Sequence, residues 1–153
     1  MNYAQGTTVA ISKTLGEIQR ELQKRGVVDF GYMTTLEASG FMFRQKGVPF
    51  KFTIAMPDRK AFDRTPTGQL RTESSAQQFW EDECKRKWRS LLLVIKAKLV
   101  AIDEGIVEFN DEFLAYAVLS DGRTAGEVFH DAVEQAALDC KPLVLSLGGR
   151  NTP

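Results

Sequence analysis

The chain has 153 residues and a mass of 17.1 kDa, with 43% hydrophobic and 26% charged side chains, which suits one domain with a buried core. Twelve glycines and five prolines exclude collagen-like and disordered compositions, and no apolar run approaches the roughly 18 residues of a membrane span. The zero net charge hides a split: residues 1–100 carry 17 Lys and Arg against 10 Asp and Glu, whereas residues 101–153 carry 3 against 10. Such a split either places a polyanion site beside a counter-surface for a protein, or is neutralised across one domain.

Residues 1–11 read as an extended lead-in, followed by a helix from about Lys13 to Arg25 that Ser12 or Thr14 can cap. Leu15, Ile18 and Leu22 form its apolar stripe, and Gly26 is placed to end it. Three strands follow: Val27 to Leu36, Phe41 to Arg44, and Val48 to Met56, with Ser39-Gly40 and Lys46-Gly47 as turn signals. In the third strand Phe50, Phe52, Ile54 and Met56 share the face expected to be buried, while Lys51, Thr53 and Ala55 share the other. Residues 57–72 read as a long basic loop without regular structure, a kind of segment that is uncommon in compact domains and often functional.

A long helix is expected from about Ala76 to Glu104, capped by Ser74 or Ser75 and stopped by Gly105, roughly 43 Å long at 1.5 Å per residue. Asn110 can cap a shorter helix running to Leu119. Thr124 with Glu127 caps a last helix ending near Cys140, and residues 143–153 read as a tail that frays. The expected fold is a single α+β domain over residues 1–142, ordered α-β-β-β-α-α-α. A three-stranded antiparallel sheet packs on the long central helix, with further helices C-terminal to it.

At 100° per residue, Cys84, Trp88, Leu91, Ile95, Leu99 and Ile102 form a seam facing the sheet. Lys85, Arg89 and Lys96 line one flank of the seam, and Lys87 and Lys98 the other. Leu93, Ala97 and Val100 lie on the far side, so the middle of this helix is apolar nearly all round and should be covered on more than one side. The C-terminal helices are the natural cover, and a second subunit is the alternative.

The basic flank supports a phosphate track. Lys85, Arg89 and Lys96 would neutralise phosphates, and Arg59, Lys60, Arg64 and Arg71 in the loop would extend the path. Phe62, Phe79 and Trp80 would stack on exposed bases, as in single-strand binders. The alternative for the same residues is that the lysines snorkel past a buried seam and the aromatics belong to the core. Double-stranded-RNA-binding domains share the α-β-β-β-α order, but the start of the long helix, Ser74 to Trp80, lacks the lysines of such a site. The β-β-β-α core of single-strand annealing proteins is a looser analogy, at the level of fold alone.

Catalytic constellations are sparse. His130 is the one histidine, and neither Cys84 nor Cys140 sits in a recognisable nucleophile setting. Two cysteines and one histidine also lack the spacing of a zinc site. The acidic group Asp103, Glu104, Glu108, Asp111 and Glu112 has the chemistry to hold Mg²⁺, but also suits a solvated helix junction. No phosphate-cradling glycine motif is present, so no catalytic residue, metal or cofactor is expected. Two cysteines build no disulfide framework, and Met1-Asn2-Tyr3-Ala4-Gln5 does not open like a secretory signal, so a reducing cytoplasm is the expected compartment.

The stretches Trp88-Arg89-Ser90-Leu91-Leu92-Leu93-Val94-Ile95-Lys96-Ala97-Lys98-Leu99, Glu104-Gly105-Ile106, Asp111 to Tyr116 and Leu119 to Glu127 carry a resemblance, as do Lys51 to Pro57 and Thr65 to Gly68. They resemble a family of small uncharacterised bacteriophage and prophage proteins over about residues 7–138. What the resemblance implies is a phage-encoded accessory protein in the cytoplasm of a bacterial host, with no known site residues to carry over. Two functional expectations follow. One is a non-enzymatic nucleic-acid binder, such as a single-strand binding or annealing factor acting through the basic path. The other is an interaction protein that blocks a host factor, such as a defence component. Its contact surface would be the acidic one around Glu108, Asp111 and Glu112, or the apolar back of the long helix.

Overall fold

A computed structural model of the chain describes residues 3–35, 37–140 and 142–143. Helix α1 spans Tyr3–Gln23, so the lead-in expected to be extended is helical instead. The physical reason lies in the stripe: Ile11 and Thr14 are buried with Ile18 and Leu22, extending the helical period one turn toward the N-terminus. Ser12 and Thr14 therefore lie inside the helix and do not cap it. Gly26 ends this region in the left-handed conformation with φ of 79°.

Strands β1 (Val28–Thr34), β2 (Ala38–Gln45) and β3 (Val48–Ala55) form an antiparallel meander with β2 in the centre. Leu36, the expected end of the first strand, lies outside the described residues. Lys46 and Gly47 both have positive φ and join Gln45 to its partner Val48, the geometry of a two-residue hairpin whose twist matches its strands. The register sets Phe41 opposite Phe52 and Phe43 opposite Phe50, so four phenylalanines share one face. Their rings stack at centroid separations of 5.0 and 5.3 Å, and all four are buried.

Helix α2 (Glu73–Asp103) covers that face. Its cap is Thr72, whose hydroxyl accepts from the Ser75 backbone N–H, two or three residues ahead of the expected cap. Cys84, Trp88, Ile95 and Leu99 are buried along the expected seam, joined by Leu92, while Leu91 and Ile102 are partly buried at its edges. Helix α1 lies alongside α2 in parallel: Lys96 pairs with Glu17 at 2.8 Å, and Arg25 donates to Asp103 at 3.0 Å.

The helix expected from Asn110 to Leu119 is instead a single turn, α3 (Phe109–Glu112), followed by a 3-10 turn at Leu114–Tyr116. Aromatic packing breaks it. Phe109, Phe113 and Tyr116 all turn toward β3, with Tyr116 stacked on Phe52 at 3.9 Å. Ala117 then pairs with Phe50, and the Val118 N–H bonds to the Pro49 carbonyl, covering the β3 edge. Helix α4 (Ala125–Asp139) opens with a complete Thr124–Glu127 capping box. Of the expected tail, only Leu143 lies within the described residues. The architecture is one α+β domain, and among the described residues no helix is long and apolar enough to cross a membrane.

Candidate functional site

The basic path expected along loop 57–72 is an ordered structure whose cations are largely engaged within it. Asp58 caps a 3-10 turn at Arg59–Phe62, and Arg64 bridges to Leu70. The Arg59 guanidinium donates to Asp63 at 2.7 Å, Glu73 at 2.7 Å and Gln77 at 3.0 Å. Arg64 donates to the Gly68 carbonyl at 2.9 Å. Arg71 donates to the carbonyls of Phe62 and Arg64, and its guanidinium lies 4.2 Å above the Phe79 ring. The segment expected to lack regular structure instead uses its arginines as internal clamps. Lys60 is exposed and its side chain has no partner among the described residues.

The aromatics expected to stack on bases are also engaged, Phe79 beneath the Arg71 guanidinium. Phe62 is half-buried, and the Trp80 indole N–H donates to the Pro57 carbonyl at 2.8 Å, tying α2 to the loop. On the helix flank, Lys96 pairs with Glu17 at 2.8 Å, which holds that carboxyl below its ordinary range through the hydrogen bond first and the charge second. Lys85 lies 3.8 Å from Asp82. Arg89 makes no ion pair among the described residues and lines a cleft of about 600 Å³ between α1 and α2 with Lys13, Lys85 and Arg86. The structure thus gathers Lys85 and Arg89 into one basic cleft, while the loop arginines stay outside it.

The acidic surface resolves into two parts. Asp103 is held by Arg25, and Lys98 donates to the Glu112 carboxylate at 2.8 Å, so these residues brace separate joints. The five acidic residues considered for Mg²⁺ do not converge as a metal-binding group among the described residues. Asp111 and Glu112 instead line a groove of about 790 Å³ between α4 and the 3-10 turn Leu114–Tyr116. Glu108 is exposed and lies outside that lining.

The groove exists because of local backbone chemistry. Ala125 N–H bonds to the Ala117 carbonyl, and Val118 bridges to Thr124, folding α4 back over the 3-10 turn. Gly126 permits the close crossing: a Cβ there would stand 2.9 Å from the Ala115 carbonyl oxygen. Phe129 and Val133 of α4 face Leu114 and Ala115 across the gap, and Leu114 and Val133 are 57% and 54% exposed, so the apolar walls are open to solvent. Asp111, Glu112 and Glu134 rim the opening.

His130 also lines the groove, where Asp131 and Glu134 lie close enough for their ligand atoms to fall within 4.8 Å of one another. The hydrogen bond to Asp131, reinforced by the charges of Asp131 and Glu134, raises the His130 pKa above its ordinary value. All three are exposed, and Asp131 accepts at 3.1 Å if His130 Nδ1 carries the proton. This grouping escaped the sequence reading, although the i, i+4 spacing of His130 and Glu134 carries the signal. Cys84 is buried, and burial pushes its thiol up to about 11, which removes it as a nucleophile.

Known protein families, curated proteins and solved structures were compared with the chain, and none matches it.

Proposed function

We propose that this is a non-enzymatic interaction protein whose groove between α4 and the Leu114–Tyr116 turn receives an apolar segment bearing basic residues from a partner protein. The observation that carries the reading is the groove itself: open apolar walls under a carboxylate rim, on the acidic third of the chain. The resemblance to phage and prophage proteins supports a host protein, such as a defence component, as the class of partner. The decisive experiment captures partners from bacterial cytoplasm on wild-type protein and on Val133→Glu, whose side chain is exposed and outside the core. A partner retained by the wild type and released by the variant supports the groove. Capture indifferent to the substitution removes it.

A second reading, association with a single-stranded or other nucleic acid, rests on the α1–α2 cleft, where Lys13, Lys85, Arg86 and Arg89 face only Asp82 among acidic lining residues. Polarisation of labelled oligonucleotides should then show binding that weakens steeply with salt and falls on Lys85→Ala and Arg89→Ala. Absence of binding at low salt would remove this reading.

A further inference from the structure

Among the described residues, the C-terminal helices do not cover the far side of α2. Leu93, Val94 and Val100 remain 67%, 45% and 57% exposed, and Ala97 is exposed between them. The residues along this face recur as Arg86, Ser90, Leu93, Ala97, Val100 and Glu104, at alternating steps of four and three. That is the seam spacing of a coiled coil, and it runs for roughly 27 Å at 1.5 Å per residue. All six are exposed.

We propose that the occupant of this seam is the same seam of a second copy, running antiparallel about a two-fold axis near position 95. Reversal about that point sets Leu93 opposite the partner's Ala97, Ser90 opposite the partner's Val100, and Arg86 opposite the partner's Glu104. Leu93 and Val100 then each meet a small side chain, and the helices can approach closely at Ala97. Charge selects the direction. The first half of the face carries Arg86 and Arg89, with Arg86 held by Glu83 and Lys85 lying 3.8 Å from Asp82; the far end carries Glu104, beside an Asp103 already held by Arg25. A parallel pairing would set Arg86 against Arg86, whereas the antiparallel one sets opposite charges together at both ends. The contact is isologous, so it closes as a dimer and does not propagate.

A single helical stripe falls short of the ~800 Å² per partner of a standard stable complex, so the dimer is expected to form in the micromolar range. Lys96 flanks the seam but is already paired with Glu17; Arg86, Ser90 and Leu93 also line the α1–α2 cleft, and the Arg86 pairing across the seam replaces its local contact with Glu83 at 2.7 Å.

Sedimentation equilibrium from about 1 to about 200 µM tests this. The wild type should approach twice the mass of the 17.1 kDa chain, and Leu93→Glu should weaken association at least tenfold (~1.4 kcal/mol) while leaving the helical circular dichroism unchanged. Charge exchange gives the sharper result. Arg86→Glu alone and Glu104→Arg alone should each weaken self-association, whereas an equimolar mixture of the two should recover a dimer through two restored pairs. The double variant carrying both exchanges should recover it as well. A wild type that stays monomeric across the range overturns the proposal. So does a dimer indifferent to Leu93→Glu, or a mixture that fails to associate while the single variants remain folded.

Discussion

Trp88 shows how much one side chain can carry, and where it strains the core. Its indole is fully buried against the rings of Tyr32 and Phe41, at 6.1 and 6.3 Å, yet its Nε1–H finds no acceptor among the described residues. An unpaired buried donor costs about 1–3 kcal/mol, whereas truncating a buried Trp to Ala costs about 3–5 kcal/mol. Trp88→Phe removes the donor and keeps most of the ring. It should therefore cost ~1 kcal/mol or less in denaturant unfolding, while Trp88→Ala should cost several times more. Comparable losses for both would mean that the indole N–H is satisfied in solution. The cysteines divide just as sharply. Cys84 is buried, with its thiol pushed up to about 11 chiefly by desolvation, and Cys140 is exposed in a left-handed helix terminus. A thiol reagent under native conditions should label Cys140 in the full chain and leave Cys84 unmodified until denaturant is added; peptide mapping reads the two sites separately.

At the scale of elements, α4 depends on its first turn. The Thr124 hydroxyl accepts from the Glu127 N–H at 3.3 Å, and the Glu127 carboxylate accepts from the Thr124 N–H at 2.6 Å. That backbone bond is the main reason the Glu127 carboxyl sits below its ordinary range. Because the folded-state pKa is depressed, the cap contributes above the unfolded carboxylate value and is lost as pH falls through the folded one. Thr124→Ala should cost ~1 kcal/mol but keep most of this acid dependence, because its backbone N–H remains, whereas Glu127→Gln should flatten it; both are read as amide exchange along α4. The legibility of the elements follows the same logic. The Thr124–Glu127 box, the Lys46-Gly47 hairpin and the alternation of Phe50 and Phe52 are local signals, so they could be read from neighbouring residues. What failed was decided by distant contacts. Phe113 and Tyr116 interrupt a helical pattern because the phenylalanine face of the sheet attracts them. Arg59 closes the loop through Glu73 and Gln77, partners fourteen and eighteen residues away. The groove was legible only as acidic residues, because its walls come from two elements whose crossing at Gly126 has no local signature.

For the whole molecule, the charge split becomes spatial: the basic cleft lies between α1 and α2, and the carboxylate-rimmed groove lies under α4. His130 is the one imidazole in the lining of the groove. His130 sits on its α4 wall beside Asp131 and Glu134, with Asp111, Glu112 and Lys98 on the facing elements, and Lys98 is already paired with Glu112. Its pKa is raised by the Asp131 hydrogen bond and then by the surrounding carboxylates. Below that pKa the rim carries an additional positive charge; above it, the carboxylates stand with Lys98 alone. A lysine-bearing amphipathic peptide should therefore bind more tightly as pH rises through the His130 transition, by about two- to fivefold for one exposed charge. Fluorescence titrations at about pH 6 and about pH 8 should show the difference in the wild type and lose it in His130→Gln. Tight binding with no pH step would mean that the apolar walls alone select the partner, and the acidic rim would then lose its role in recognition.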